Sequence, residues 1–373
     1  MTTRHTDVVV VGGGLIGCLV ARELAHDGHR VTLVERAKVG REASHDAAGM
    51  LAPLAEAVAP GPFLDLCIES RNLHATLADE LFAEVGTDVW YRDDGTYLVA
   101  FDDTEAAALR ARAALHASLG LHSEMIPVEI ARREEPALSP LVTAALSVPG
   151  DHQVDNRKLV EAAALSCYAR GVKIVEHTPV RSLLRDANDR IVGVDTTAGP
   201  IDAECVVVAA GSWSSLIGGF SVPVEPVKGQ MLMLELVSPP CRRVLRSERC
   251  YVVARIDGRV LVGGTMERVG FDKSVVASAV GNLLEAGREV VPSLGGAFGG
   301  EAWAGLRPAT PDDLPAVGQL GENLIAATGH FRNGILLAPV TAKIVAGLVR
   351  GDAPHAAAEL LDPRRFSPSG SAA

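Results

Sequence analysis

The chain has 373 residues, 48% hydrophobic and 22% charged, with a formal net charge of −11. That length can bury a large core and suits two domains, and the composition is globular. The negative balance argues against nucleic acid or an anionic membrane as the main partner, and no apolar run is long enough to span a bilayer.

Residues 8–11 are a β-branched run without polar alternation, the pattern of a strand buried on both faces. Gly12-x-Gly14-x-x-Gly17 follows at once. Apolar residues at helical spacing then run over 15–25, and Gly28 supplies a stop. Residues 31–34 form a second buried strand, closed by Glu35. This is a βαβ unit carrying a dinucleotide fingerprint. Gly12 allows the tight turn, Gly14 lets a pyrophosphate approach the backbone, and Gly17 lets helix and strand pack closely. Amides at the helix N-terminus face the phosphates. Glu35 stands 18 residues after Gly17. It is expected to accept from a ribose 2′-hydroxyl, which argues against a 2′-phosphate and so against NADP. Arg4 before an apolar segment resembles the start of a secretory leader, but the three glycines, then Arg22 and Glu23, argue against one.

Residues 39–50 are rich in Gly and Ala, which suggests a backbone lying against something flat or bulky. A long helix is expected over 63–85, with Leu64, Leu66, Ile68, Leu73, Leu77 and Leu81 inward. A hairpin over 90–101 would turn at Asp93-Asp94-Gly95. An alanine-rich helix over 104–119 and a short helix within 130–138 come next. Asp155 caps a helix that Gly171 ends. Residues 173–176 form a strand and 180–202 hold two or three more. The apolar run 205–210 rejoins the first sheet and brings Gly211 close to the nucleotide. From 224 to 264 the pattern is antiparallel, with strands at 230–237, 250–255 and 259–263 and a turn at Asp257-Gly258. A helix over 274–291 leads to the segment 301–308, a last buried strand over 324–327 and a helix reaching about residue 349. The chain thus crosses between two domains. The nucleotide domain takes 1–87, 151–222 and 301–366, the substrate domain takes 88–150 and 223–300, and 367–373 is a disordered tail. Six cysteines show no Cys-x-x-Cys pair. They read as buried free thiols in a reducing cytoplasm. No metal-ligand spacing is present.

Several stretches together resemble the D-amino-acid-oxidase superfamily of FAD enzymes, and within it the bacterial glycine oxidases of thiamine biosynthesis. They are Gly12 to Gly17, Glu35, Ala47-Ala48-Gly49-Met50-Leu51, Glu176-His-Thr-Pro-Val180, Val227-Lys-Gly229, Cys250-Tyr-Val-Val, Trp303-Ala-Gly-Leu-Arg-Pro308 and Gly329-His-Phe-Arg-Asn-Gly-Ile-Leu-Leu-Ala-Pro339. The last two are long and specific. The resemblance implies an α/β fold: a Rossmann-like FAD-binding domain of the glutathione-reductase type, with an inserted α+β substrate domain on a mixed, largely antiparallel sheet. It implies FAD rather than NAD. The FAD is non-covalent, because no cysteine near Arg332 stands where sarcosine oxidases attach flavin. Leu15, Glu35, Arg36, Ala43, Ser44, Ala48, Gly49, Met50 and Val180 then line the cofactor, and His330, Phe331, Arg332, Asn333, Gly334, Ile335 and Leu336 close it. Arg307 and Arg332 match the substrate-binding arginines and Tyr251 the active-site tyrosine, with Met50 counted beside them at the reacting end. The chain departs from the family at His45-Asp46, where small residues are usual, and at Ala254, where proline is common.

The implied reaction is oxidative deamination of glycine, sarcosine and small D-amino acids. Its products are the imino or 2-oxo acid, ammonia and, with oxygen as acceptor, hydrogen peroxide. The glycine imine would supply the thiazole of thiamine. Arginine suits the substrate carboxylate, because its planar fork binds a carboxylate bidentately. Arg332 is equally open to a structural role, and Tyr251 to a place in the core. A helix beginning near Asn333 would point its N-terminus at the flavin. Two other readings stay open: a D-amino-acid dehydrogenase passing electrons to a quinone or other carrier, and a nucleotide-binding module without catalysis. Relatives also imply a homo-oligomer, with a tetramer as the expected form, and the free thiols suit the cytoplasm.

Overall fold

The fingerprint folds as its spacing dictates. Strand β1 is Thr6–Val11, helix α1 is Leu15–His26 and strand β2 is Val31–Val34. The structure is a computed structural model describing residues 6–56 and 59–367. The expected tail lies outside the described residues from 368 onward.

Helix α1 is packed between Asn156–Ala169 and Ala338–Arg350. Leu15, Leu19, Val20 and Leu24 are therefore all buried, each contributing about 1.5–3 kcal/mol. Arg22 is buried on the same helix. It donates to Glu80 at 2.8 Å and to Ser166 at 3.0 Å, as a buried charge requires.

The first sheet runs in the order Ala316–Gly321, Leu324–Thr328, Gly199–Val208, β1, β2 and Lys173–Val175. Along this order the pairings are parallel except at the Ala316–Gly321 edge, and Ile191–Thr196 and Val180–Arg185 extend the sheet off this path by antiparallel pairing. One correction lies at its centre. The polar run near 199–202 and the apolar run from 205 form one ten-residue strand, not two. Its first half pairs antiparallel with Ile191–Thr196, and its second half pairs parallel with β1. The burial pattern changes along it for that reason.

The second sheet runs Gly299–Ala309, Glu225–Glu235, Arg259–Gly263, Tyr251–Ala254, Val244–Arg246, Thr96–Ala100, Ala144–Val148 and Glu124–Ile126. All pairs are antiparallel except Val244–Arg246 with Thr96–Ala100. The sheet is mixed and largely antiparallel, as expected. Leu232, Val252, Val260 and Val262 on one face pack with Leu283, Ala286 and Val290 of the helix Ala277–Val290. The opposite face presents Met231, Met233, Val253 and Leu261 to Ala48 from the small-residue loop. The site is built in that contact.

Two further expectations fail. The hairpin over 90–101 does not form. Asp94 instead accepts from Arg92 at 2.8 Å and from Arg242 at 2.9 Å. Arg92 bridges Gln153, while Thr96–Ala100 pairs with Ala144–Val148. The segment from 301, assigned to the nucleotide domain, is part of the second sheet. Gly299–Ala309 is in register with Glu225–Glu235 along its whole length. A twin-glycine start and alternating small residues hide that strand in the sequence.

Candidate active site

The carboxyl ends of β1, β2, Gly199–Val208 and Leu324–Thr328 open on a cavity of about 900 Å³, the usual ligand position in open α/β sheets. At one end stands the glycine loop. Gly12 has φ +108°, and a Cβ there would sit 2.5 Å from the Ala209 carbonyl oxygen. A Cβ on Gly17 would sit 1.9 Å from the Gly12 oxygen. Only glycine allows this turn to nest against its own helix and the neighbouring strand. Glu35 is buried, and its two oxygens accept from the Gly13 amide at 2.7 Å and the Ala37 amide at 2.8 Å. The carboxylate thus ties the loop to the end of β2, and each oxygen keeps a lone pair for a ribose hydroxyl. Arg36 lies 3.9 Å over the Trp213 ring and pairs with Glu42.

The small-residue loop forms the next wall. Ser44 accepts from the Leu15 amide at 2.9 Å. Asn156 donates to the Ser44 and His45 carbonyls, both at 2.9 Å. Arg255, itself buried, donates to the Ala48 carbonyl at 2.7 Å. Gly49 has φ +73°, and a Cβ there would sit 2.1 Å from the Val154 oxygen. The departure at His45-Asp46 now has a physical account. Asp46 pairs with Lys273 at 3.3 Å, and its carbonyl accepts from the Trp303 indole at 3.0 Å. The Asp46 carboxylate thus ties this loop to Lys273, a contact that a small residue could not make, while the bond from Trp303 of the second sheet goes to the backbone.

At the other end the second sheet supplies the floor. Register places Arg246, Tyr251, Gly263, Met231 and Trp303 in one row across neighbouring strands. Tyr251 donates to the Met231 sulfur at 3.1 Å. Burial pushes its phenol pKa up, while the Arg307 guanidinium pulls it down. Arg307 lies diagonally across Gly229 and donates to the Thr265 carbonyl at 3.0 Å. A Cβ on Gly264 would sit 3.2 Å from the Tyr251 hydroxyl and 3.3 Å from Arg307 Nη2, so these two groups converge over one spot. Arg332 faces the same cavity but is 41% exposed and pairs with Glu56 at 3.6 Å.

Most of the expected site residues therefore line one cavity: Gly12, Gly14, Leu15, Glu35, Arg36, Ala43, Ser44, Ala48, Gly49, Met50, Val180, Gly211, Tyr251, Arg307, His330, Phe331, Arg332, Gly334 and Ile335. Three do not. Gly17 serves the packing of α1. Asn333 closes a backbone turn onto His330 at 2.9 Å. Leu336 is core, its carbonyl accepting from Ser70 at 2.6 Å and from His74 at 3.1 Å. The expected helix start near Asn333 is also displaced. Regular helix begins at Ala338, and turns occupy the residues before it. Reading the sequence alone missed Met231, Thr265, Glu56 and Arg246. The glycine pair 263–264 at the end of an apolar strand was the available signal for the floor.

Residues 7–348 match the family described as FAD dependent oxidoreductase. The chain belongs to that family. The oxidoreductase is 36% identical to a glycine oxidase of Geobacillus kaustophilus, over 94% of each chain. It is also 36% identical to a glycine oxidase of Pseudomonas aeruginosa, over 97% of this chain and 98% of that one. A bifunctional ThiO/ThiG protein of Synechocystis is 36% identical over 97% of this chain but only 54% of its own length. The crystal structure of the Geobacillus glycine oxidase superposes with a TM-score of 0.92, covering 97% of this chain and 99% of that one. FAD is therefore the cofactor. The cavity fits it: glycines strip side chains from the phosphate end, Glu35 holds a free lone pair for a ribose, and a long wall of small residues faces the interior.

Proposed function

We propose that this oxidoreductase oxidises glycine, sarcosine and small D-amino acids to the imino acid, which hydrolyses to the 2-oxo acid and ammonia, or methylamine in the case of sarcosine. Oxygen is reduced to peroxide. The glycine imine serves thiazole formation in thiamine biosynthesis, the setting suggested by relatives fused to a second enzyme.

The observation that carries this reading is the convergence of Arg307 and Tyr251 over Gly264, in the same cavity as the glycine loop. A planar guanidinium there binds a carboxylate through two N–H groups. The Tyr251 hydroxyl becomes a third donor by turning its one hydrogen from the Met231 sulfur to the carboxylate. Met50 and Met231 beside it exclude water, and the half-buried setting strengthens the ion pair. Bound FAD supplies the two-electron acceptor. The protein's own part is to hold the carboxylate, orient Cα and admit the neutral amine, whose proton is lost to solvent. Gly12, Gly14, Glu35, Arg36 and Ser44 hold the nucleotide. Ala48, Gly49, Met50, Val180, His330, Gly334 and Ile335 wall the rest.

A substrate panel with peroxide readout tests the proposal. Glycine, sarcosine and D-alanine are expected to give peroxide with the yellow holoenzyme. Turnover with an artificial acceptor but none with oxygen would overturn the oxidase assignment in favour of a dehydrogenase. No helix among the described residues is long and apolar enough to cross a membrane. A cytoplasmic homo-oligomer, with the tetramer as the expected form, completes the proposal; light scattering of the purified protein checks the assembly, and cell fractionation checks the location.

A further inference from the structure

Residues 264–276 run from the end of Arg259–Gly263 to the start of the helix Ala277–Val290 as a strap in which no residue is buried. The strap nevertheless reaches the site. The Thr265 carbonyl accepts from Arg307 Nη1 at 3.0 Å, and Met266 lines the cavity. With no core of its own, the strap is placed by polar clasps. The first is Lys228, the middle residue of the Val227-Lys-Gly229 stretch, which is 1% exposed. A buried ammonium needs partners, and Lys228 finds them on the strap: Asp272 at 3.0 Å, Ser274 at 3.4 Å and Glu267 at 3.8 Å. Hydrogen bonds from the Ser274 amide and from Lys228 hold the Asp272 carboxyl down at about 2. Glu267 carries this clasp to Thr265. Its backbone exchanges hydrogen bonds with that of Lys228 in both directions at 2.9 Å. Its Oε1 accepts from the Thr265 hydroxyl at 2.5 Å and from Gln230 Nε2 at 2.8 Å. The second clasp is at the far end. Lys273 donates to Glu42 at 2.9 Å and to Asp46 at 3.3 Å, and both carboxylates belong to residues lining the cavity. Phe271 packs on Trp213 with ring centroids 5.7 Å apart. Arg268 also pairs with Glu225, but both side chains are more than half exposed and such a pair contributes little.

We propose that Lys228 and Lys273 are positioning residues for the oxidation. By clasping the strap at both ends they hold the Thr265 carbonyl where it fixes the Arg307 guanidinium, and so set the affinity for the substrate carboxylate. The inference rests on the reading that Arg307 and Tyr251 hold that carboxylate. A guanidinium is a rigid planar fork, so one N–H tied to Thr265 fixes the direction in which the others face. Gly229 beneath it has no side chain to do so. The two clasps differ in strength. Lys228 is buried and its pairs are little screened, whereas Lys273 is 38% exposed and its pairs are weakened by solvent. Asp46 stands where the family usually has a small residue, so this half of the second clasp comes from the chain's own departure at His45-Asp46.

The test is a flavin-absorbance titration of the holoenzyme with acetate, a carboxylate without the amine, beside steady-state kinetics with glycine. Lys228→Met keeps the length of the side chain and leaves Asp272, half-exposed, to water. It should weaken acetate binding and raise KM for glycine by about tenfold each, with kcat changed by less than about threefold, because the arginine is misplaced and not removed. Lys273→Met should give the same pattern at about threefold, as a partly exposed clasp allows. A double-variant cycle separates positioning from general loosening. In the Arg307→Ala background, Lys228→Met should add no further loss of acetate affinity, because it acts through that arginine, whereas a merely structural role would add the same loss in both backgrounds. Should Lys228→Met fail to fold, Asp272→Asn opens the same clasp from its exposed side and should weaken acetate binding in the same direction. Unchanged acetate affinity in the folded clasp variants, or an equal loss in both backgrounds, would overturn the role of the strap. Acetate binding as tight in Arg307→Ala as in the unaltered enzyme would instead overturn the reading beneath it.

Discussion

Arg307 lies flat against the α-carbon of Gly229: a Cβ there would stand 2.2 Å from Nη1 and 2.4 Å from Cζ. The absence of a side chain at 229 is what lets the guanidinium cross the strand toward Tyr251. Gly229→Ala should therefore displace the arginine by about an ångström without removing it. A misplacement of that size costs up to about 100-fold. We expect kcat/KM for glycine to fall about 10- to 100-fold with FAD binding retained. Unchanged steady-state kinetics would show that the guanidinium is not held by this contact.

Removing Arg307 itself should cost more. Truncating one partner of a largely shielded, bidentate charge contact is worth about 2–5 kcal/mol, a loss of roughly thirty-fold to several thousand-fold in kcat/KM. Arg307→Lys should recover little, because a point charge does not reproduce the fork. Amines without a carboxylate should lose much less than glycine does. If Arg307→Ala loses its flavin instead, the residue is structural and the carboxylate anchor must be sought at Arg332.

The nucleotide half of the site is legible in the sequence because its determinants are local. Gly12, Gly17 and Glu35 lie within one βαβ unit, and their spacing alone implies their contacts. The substrate half is assembled from strands distant along the chain. Arg246, Tyr251, Met231 and Trp303 share a row only through cross-strand register, which no local pattern specifies. Arg332 shows the difference: its motif marks it for the cavity, but the Glu56 beside it comes from a loop 276 residues earlier. The helix start near Asn333 was misplaced because the turn from 330 to 337 already makes helix-like bonds, including the Leu337 amide to the Asn333 carbonyl at 2.8 Å. Pro339 in the first turn of the helix marks the true start.

Glu35 offers a test of cofactor binding separate from substrate binding. Its carboxylate already accepts from two backbone amides, so Glu35→Gln weakens the loop as well as any ribose contact. Hydrogen bonds to a charged group are worth about 1.5–3 kcal/mol, which predicts a roughly ten- to hundredfold weaker FAD affinity. Flavin fluorescence titration of the apoprotein measures it, and KM for glycine at saturating FAD should change little. An unaltered FAD affinity would remove Glu35 from the cofactor site.

Acid should destabilise the protein through three desolvated histidines, His330 and His74 buried and His152 half-buried. Burial pushes His330 down to about 3, and His74 and His152 to about 4. His330 is held by Thr341 at 3.0 Å, His74 by the Leu336 carbonyl at 3.1 Å, and His152 by Tyr91 at 2.7 Å. In the fold each is neutral, whereas in the unfolded chain each takes a proton near pH 6.5. Between pH 6.5 and about 4 the unfolded state therefore binds more protons, and stability falls as pH falls. Each histidine contributes a slope of up to about 1.4 kcal/mol per pH unit. Asp151 works the other way: burial raises its carboxyl to about 7, so it favours the fold as pH falls through the same window. Three histidines outweigh one aspartate, and the net expectation is a Tm that drops steadily from pH 6.5 to 4.5. His330→Asn should shallow that slope, because asparagine keeps a polar group near Thr341 and does not titrate. A Tm that is flat over this range in the apoprotein, where flavin loss plays no part, would show that these imidazoles are not desolvated as their burial implies.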